Sequence, residues 1–310
     1  MRKSLEWNIA IIGAGKVGSV LGKLLVENGD RIVAVISRNE TSAKNAARYL
    51  RCRNASTSLA FLPPATDVVF ITTPHGAIEQ VAEDLARTEQ LEFTRLAVCH
   101  ASGMLTADVL DPVHRRGAKV FSFHPLQTFP RDFSPRDMVE SARNIYYGVD
   151  GAPEALRVAR QLAKKLGGTT LEIRPEMRSF YHAACVVASN HVTAMLSVLE
   201  RMFQVLDITQ TKFYPVFKPI IMATLKNIEA TSPARALSGP IARGGVETVT
   251  EHFNALNTFA PEFVSYFAEL SRETVRLASA KGSIDEKQRQ ALLNLIQSYM
   301  PTHSQVTENI

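Results

Sequence analysis

A doubly wound parallel α/β sheet followed by an all-α domain is the fold class that this 310-residue sequence predicts. Three observations carry that expectation. Short apolar, β-branched runs alternate with helical spacings through the first half, as in a parallel sheet covered on both faces. A glycine-rich turn joins the first of these runs to the first helical stretch. After Pro175 the strand pattern stops and only helical spacing remains.

Taken in order, Asn8–Ile12 is an apolar run ending in glycines and reads as a buried strand. Residues 16–28 place Val17, Val20, Leu21, Leu24 and Leu25 on one helical face, and Gly29 stops the helix. Arg31–Ile36 is a second strand, 42–50 a short helix, and 67–72 a buried strand closed by Pro74. A helix over 76–86, a strand over 95–100, a helix over 106–116 ended by Gly117, and a strand over 119–123 follow. The polar stretch 130–141 is a loop. Residues 144–149 (strand), 153–166 (helix) and 170–173 (strand) then extend the pattern.

The domain boundary is placed near Arg174, giving domains of 1–174 and 175–310. Pro175 and Glu176 suit a helix start, and one long helix is expected to run to about Leu206. It is apolar nearly all round from Ala183 to Leu199, so burial is expected, in part by a second subunit. Helical spacing recurs over 247–256, 261–280 and 285–299.

Composition narrows the function. The chain is 45% apolar and 21% charged, with a net charge of +5 and a pI near 9.1. That suffices for a core, and a mild positive balance suits an anionic ligand. No dense Lys/Arg run or aromatic-basic motif points to nucleic acid. Cys52, Cys99 and Cys185 are too dispersed for a disulfide framework or a zinc site, so no metal is expected and a reducing compartment fits. With no apolar leader and no run of about 18 apolar residues, a cytoplasmic protein without membrane attachment is expected.

Gly13, Ala14, Gly15, Lys16, Val17 and Gly18 form G-x-G-x-x-G between a strand and an amphipathic helix, the context a dinucleotide site requires. Gly13 permits the tight turn, Gly15 lets the backbone approach a diphosphate, and Gly18 lets helix and strand pack closely. The half that carries it is thus expected to be a Rossmann domain. The second strand ends at Ser37 and Arg38 rather than at a carboxylate, which favours NADP over NAD through contact with a 2′-phosphate. A solvated surface arginine is the plainer alternative. Thr72, Thr73 and Pro74 end the strand over 67–72 and are expected to line the cofactor, with His75 directly after them.

Two strands deliver polar groups to the same sheet edge: His100, Ala101, Ser102 and Gly103 after one, His124 and Pro125 after the other. A histidine beside a nicotinamide would handle the proton that accompanies hydride transfer. The alternative for each is a histidine bonded to nearby backbone. On the long helix, Tyr181, His182, Ser189 and Asn190 are polar groups in an apolar setting, which need partners or a use. Arg243, in the bend 238–245, is a candidate clamp for an anionic substrate group, or else a surface arginine.

Together, the segments 13–18, 100–103, 124–125, 181–182, 189–190 and 239–243 resemble a family that joins a Rossmann-like oxidoreductase domain to a helical C-terminal domain of unknown function. The resemblance spans nearly the whole chain. It extends distantly to the 6-phosphogluconate dehydrogenase-like group, with prephenate dehydrogenase, pyrroline-5-carboxylate reductase and ketopantoate reductase. Similarity to prephenate dehydrogenase implies His124 as acid/base and Ser102 as its helper, with His100 assisting. His182, Asn190 and Arg243 would hold substrate, and a homodimer through the helical domain is implied. Two departures stand out. Gly245 replaces an Asp common in relatives. Val186 stands where several dehydrogenases of the group carry a lysine. The function expected is hydride transfer between NADP(H) and a small carbonyl, imine or alcohol that bears a carboxylate. The alternative is a non-catalytic NADP-binding sensor or partner-binding protein.

Overall fold

The computed structural model describes residues 6–300. Residues 1–5, on which the expectation of no leader partly rests, lie outside them. The first half runs β1 (Asn8–Ile12), α1 (Lys16–Glu27), β2 (Arg31–Ile36), α2 (Glu40–Tyr49), β3 (Ala55–Ser56), β4 (Val68–Ile71), α3 (Ile78–Ala86) and β5 (Ala97–His100). It continues with α4 (Asp111–His114), β6 (Lys119–Pro125), α5 (Pro135–Val139), β7 (Tyr146–Gly151), α6 (Pro153–Lys165) and β8 (Thr169–Glu172). The remainder is helical: α7 (Arg178–Val186), α8 (Val192–Val205), α9 (Phe213–Ala230), α10 (Pro233–Ala236), α11 (Val246–Phe259), α12 (Val264–Lys281) and α13 (Glu286–Ser298).

The strands form one eight-stranded sheet in the order β3-β2-β1-β4-β5-β6-β7-β8. The order reverses direction at β1, the switch point at which open α/β sheets bind ligands. Strands β1, β4 and β5 are apolar and buried because helices cover both faces. One core gathers Ile9, Ile11, Leu21, Phe70, Phe121 and Phe123. The other face gathers Ala10, Ile12, Val69, Ile71 and Val98. Strand alternation thus assigns successive residues to opposite cores.

The parallel reading fails at one pair: β6 and β7 are antiparallel, with His124 opposite Gly148 and Ser122 opposite Asp150. The link between them carries no full crossover helix, only the five-residue α5, so β7 returns beside β6 in the opposite sense. Strand β3, two residues long, carries too little pattern to read. Helix α9 was also unforeseen, because Pro215 and Pro219 resemble breakers; Pro219 lies inside the helix.

Two compact units divide between Asn190 and His191, later than the boundary expected near Arg174. Strand gives way to helix after β8, but α7 stays with the sheet because its buried Arg178 bonds the loop after β5. The stretch Pro175–Val205 is helical, with a π-helical segment, Val187–His191, in its middle. Its expected burial does not occur within the chain: no residue from Ala183 to Leu199 is buried. By length and composition this stretch would suffice to cross a membrane. Residue-by-residue reading did not find that, since Ser189, Asn190 and His191 interrupt the apolar run.

The second unit has its own core, with Val249, Phe253, Phe263, Ala268, Val275, Leu292 and Ile296 from α11, α12, α13 and the turn before α12. Asp285 caps α13 through a reciprocal bond pair with Gln288. Gly245 is the N-cap of α11, and no side chain caps that helix.

Gly18 locks α1 against β4. A Cβ there would stand 2.5 Å from Thr72 Oγ1 and 2.7 Å from the Gly13 carbonyl oxygen. Gly18→Ala is therefore expected to destabilise the protein by about 1–3 kcal/mol, read as a lower urea midpoint; an unchanged midpoint would contradict this packing.

Candidate active site

The turn after β1 has the geometry that its glycines imply. The Gly13 N–H donates to the Ile36 carbonyl at 2.8 Å, and Gly13 has φ of 109°, a region that disfavours side chains. A Cβ at Gly15, by contrast, would meet nothing within 4 Å. Gly15 is the N-cap of the 12-residue α1, and no side chain caps the first amides of that helix. An open, uncapped helix N-terminus presents N–H donors and the positive end of a dipole, which fits a diphosphate. Ala14, Lys16 and Val17 complete the turn, with Lys16 half-buried beside the exposed Gly15.

Thr72 Oγ1 donates to the Gly13 carbonyl at 2.7 Å, so this side chain braces the turn rather than facing a ligand. Thr73 Oγ1 is buried without a protein partner, and its residue lines a cleft of about 360 Å³ with Val17, His75, Ser102, Gly103 and His182. Pro74 is exposed and precedes the short turn His75–Ala77. The Ser37 N–H donates to the Ser56 carbonyl at 3.1 Å. Arg38 is exposed. Its neighbour Glu40 pairs with Lys44, and Arg38 makes no ion pair among the described residues.

The loop after β5 is fixed from below by groups the sequence did not single out. Asp150 on β7 is 4% exposed. Its carboxylate accepts from the Ala107 N–H at 2.6 Å and from the Ser122 hydroxyl at 2.6 Å, and it pairs with Arg178 Nε at 3.3 Å. Arg178, 1% exposed, also donates from Nε to the Leu105 carbonyl at 3.2 Å and from Nη2 to the Ser102 carbonyl at 3.0 Å. One sequence signal was available: Arg178 is a charge entering an apolar helix, and such a charge is buried only when paired.

His100 is fully buried. Its Nε2 donates to the Thr106 carbonyl at 2.9 Å, and its Nδ1 accepts from the Ser102 N–H at 3.2 Å. Both ring nitrogens are spent on its own loop, so the expectation that His100 assists catalysis is corrected: it shapes the loop. Ser102 Oγ accepts from the Met104 and Leu105 amides at 3.3 and 3.2 Å and lies 3.2 Å from His75 Nδ1. The side-chain partner of Ser102 is thus His75, not His124 as expected.

His124, at the end of β6, meets Tyr181 of α7: its Nδ1 lies 2.8 Å from the phenolic oxygen. The His182 ring centre is 6.3 Å away. Gly103 packs against both histidines, since a Cβ there would stand 2.9 Å from His124 Nε2 and 2.7 Å from His182 Cδ2. His124 and His182 line a cleft of about 610 Å³ with Gln127, Thr128, Ser189 and Asn190. Ser189 Oγ lies 2.8 Å from the Cys185 carbonyl and 3.0 Å from Asn190 Oδ1. Arg243 belongs to the second unit, where it is exposed at the end of the turn Ile241–Arg243. Among the described residues no group of three or more His, Cys, Asp or Glu side chains is arranged to hold a metal.

Burial is the main cause that pulls His124 down to about 4, reinforced by the positive charge of Arg178. Burial likewise takes His100 to about 4. Both are neutral at neutral pH. The linked stability follows in sign: above pH 6.5 neither state binds these protons, whereas between 6.5 and about 4 only the unfolded chain does. Stability is expected to fall across that window by up to roughly 3 kcal/mol per histidine, and these two groups add no further loss below it. Urea unfolding at a series of pH values checks this; a flat profile from 6.5 to 4 would contradict it.

Comparison with known proteins agrees with this architecture. A Rossmann-like domain family matches residues 2–125, and a domain of unknown function, DUF2520, matches residues 145–274. No sequence among functionally curated proteins matches the chain. Protein TM1727 from Thermotoga maritima is 22% identical with a TM-score of 0.69, over 88% of this chain and 99% of its own. BF3122 from Bacteroides fragilis is 21% identical with a TM-score of 0.64, over 89% and 98%. Prephenate dehydrogenase from Aquifex aeolicus, in complex with hydroxyphenyl propionate and NAD+, is 17% identical with a TM-score of 0.51, over 89% and 100%. The chain therefore joins a Rossmann-like domain to a DUF2520 domain.

Proposed function

We propose that this protein is an oxidoreductase that binds NADP(H) at the α1 turn and moves hydride between it and a small carbonyl, imine or alcohol. One observation carries the reading: the open, uncapped glycine turn and the His124–Tyr181 pair lie on the same sheet edge. The cleft beside the turn, lined by Val17, Thr73, Ser102, Gly103 and His182, shares His182 with the cleft that His124 lines. When bound, the nicotinamide supplies or accepts the hydride. The amides that open α1 hold its diphosphate. Ser37 and the unpaired, exposed Arg38 favour the 2′-phosphate of NADP. Thr73 Oγ1 offers a buried polar contact, and Ser102 and His75 line the same cleft.

His124 is the group through which the substrate's proton passes, and His182 and Asn190 orient the substrate beside it. The Aquifex enzyme, which shares this fold, holds a ligand with a carboxylate. A carboxylate-bearing substrate is the corresponding proposal here.

The protein is also proposed to act as a homodimer through its helical unit. There, Met195 on α8 and Ile220, Met222 and Leu225 on α9 are exposed, and α9 has no buried residue at all. Exposed apolar surface on this scale marks an interface. Sedimentation should give twice the 34.2 kDa chain mass, and Ile220→Glu with Leu225→Lys should give the chain mass; a wild-type monomer would overturn the dimer.

Activity is tested by screening 2-keto acids and cyclic imines for oxidation of NADPH, followed by nicotinamide absorbance. His124→Ala is expected to lower kcat about 10²–10⁴-fold with NADPH affinity unchanged. Arg38→Ala is expected to raise the KM for NADPH but not for NADH. Equal turnover in wild type and His124→Ala would remove His124 from the chemistry, and NADPH binding without turnover across the panel would favour a sensor.

A further inference from the structure

Tyr181 has no part in the function proposed above beyond its contact with His124, yet its surroundings are built around that contact. Its hydroxyl sits against Gly148 on β7, where a Cβ would stand 2.3 Å from the phenolic oxygen. Gly148 faces His124 directly across the β6–β7 pair. The antiparallel pairing therefore leaves a notch beside His124, and the phenol fills it. Three residues earlier on α7, on the same helical face, the Arg178 guanidinium lies 5.4 Å from the centre of the Tyr181 ring. Asp150 anchors Arg178 in turn. The phenol is thus held on its ring face and at its tip.

We infer that Tyr181 is the positioning residue that fixes the tautomer of His124, donating its hydroxyl proton to Nδ1 so that the Nε2–H points toward Gly103 and His182. This deepens the oxidoreductase reading and rests on it for its functional meaning. The direction of the bond follows from the two partners. Burial raises the Tyr181 phenol well above its ordinary range, and Cys185 adds to the rise, so it keeps its proton. A neutral imidazole nitrogen is a good acceptor, and a phenol is a better donor than a neutral imidazole N–H. The groups facing His124 agree: Arg178, His182 and His100 act against a positive charge on its ring, and among the described residues no carboxylate acts on it. The imidazole is held neutral with a single N–H, and Tyr181 selects which nitrogen carries it.

The consequence is a substrate class. An Nε2–H presented to the cleft is a hydrogen-bond donor and suits an acceptor atom, the oxygen of C=O or the nitrogen of C=N. A hydroxyl about to lose its proton would require a bare Nε2 instead. The site is thereby preorganised for the oxidised substrate and for reduction, with the donor placed where negative charge grows.

The test is ¹⁵N NMR of the full-length protein labelled at histidine, in wild type and in Tyr181→Phe, with His124→Gln to assign the resonances. In wild type, His124 should be neutral at pH 7, with Nε2 protonated and Nδ1 bare. In Tyr181→Phe, which keeps the ring and its packing, the two tautomers should mix and the His124 titration should move upward, because a donor to the neutral form has gone. A wild-type His124 that carries its proton on Nδ1 would overturn the inference, as would a tautomer and titration unchanged by Tyr181→Phe. Neither readout requires turnover, so the tautomer stands or falls separately from hydride transfer.

Discussion

Asp150 accepts bonds from three different places in the chain: the amide of Ala107 beyond the β5 loop, the hydroxyl of Ser122 on β6, and the guanidinium of Arg178 on α7. Buried at 4% exposure, a carboxylate is tolerable only because each of these donors is present. The arrangement of the site depends on it. Arg178, held by Asp150, fixes the carbonyls of Ser102 and Leu105. Those hold Gly103 against His124 and His182. A charge pair that contributes little net stability thereby contributes position, and the site's geometry is set by buried ions rather than by the apolar cores.

The α1 turn and the His124 cleft use different physics. At the turn proposed to hold the cofactor, glycine removes side chains so that backbone amides and the α1 dipole face outward. Around His124, burial removes water, and two histidines lose their charge near neutrality as a result. Of these two, His100 is consumed by its loop, and only His124 keeps a ring nitrogen toward the cleft. Similar residue types at adjacent strand ends therefore have separate roles, set by what each ring finds within hydrogen-bond reach.

What the sequence made legible was local. The glycine turn, the strand ends at Ser37, Thr72, His100 and His124, and the helical character after Pro175 could all be read from periodicity and spacing. The antiparallel β6–β7 pair could not, because it is decided by a connection lacking a crossover helix rather than by the strands' own residues. That one reversal brings Asp150 beside Ser122 and Gly148 beside His124, so the missed topology and the missed site residues have one cause. Ser102 was placed at the right sheet edge but given the wrong partner, since His75 follows a strand end that pattern reading treats separately. The apolar helix was expected to be buried, and among the described residues nothing from Ala183 to Leu199 is.

The central claim is that the open N-terminus of α1 holds a dinucleotide diphosphate. Fluorescence titration of NADPH into wild type and Gly15→Asp tests it most directly, because the space at Gly15 admits a side chain without a clash while a carboxylate there would compete with the diphosphate. The account predicts saturable NADPH binding to wild type and its loss in a variant of unchanged thermal stability. Equal binding by the two proteins, or no binding by wild type, would contradict it.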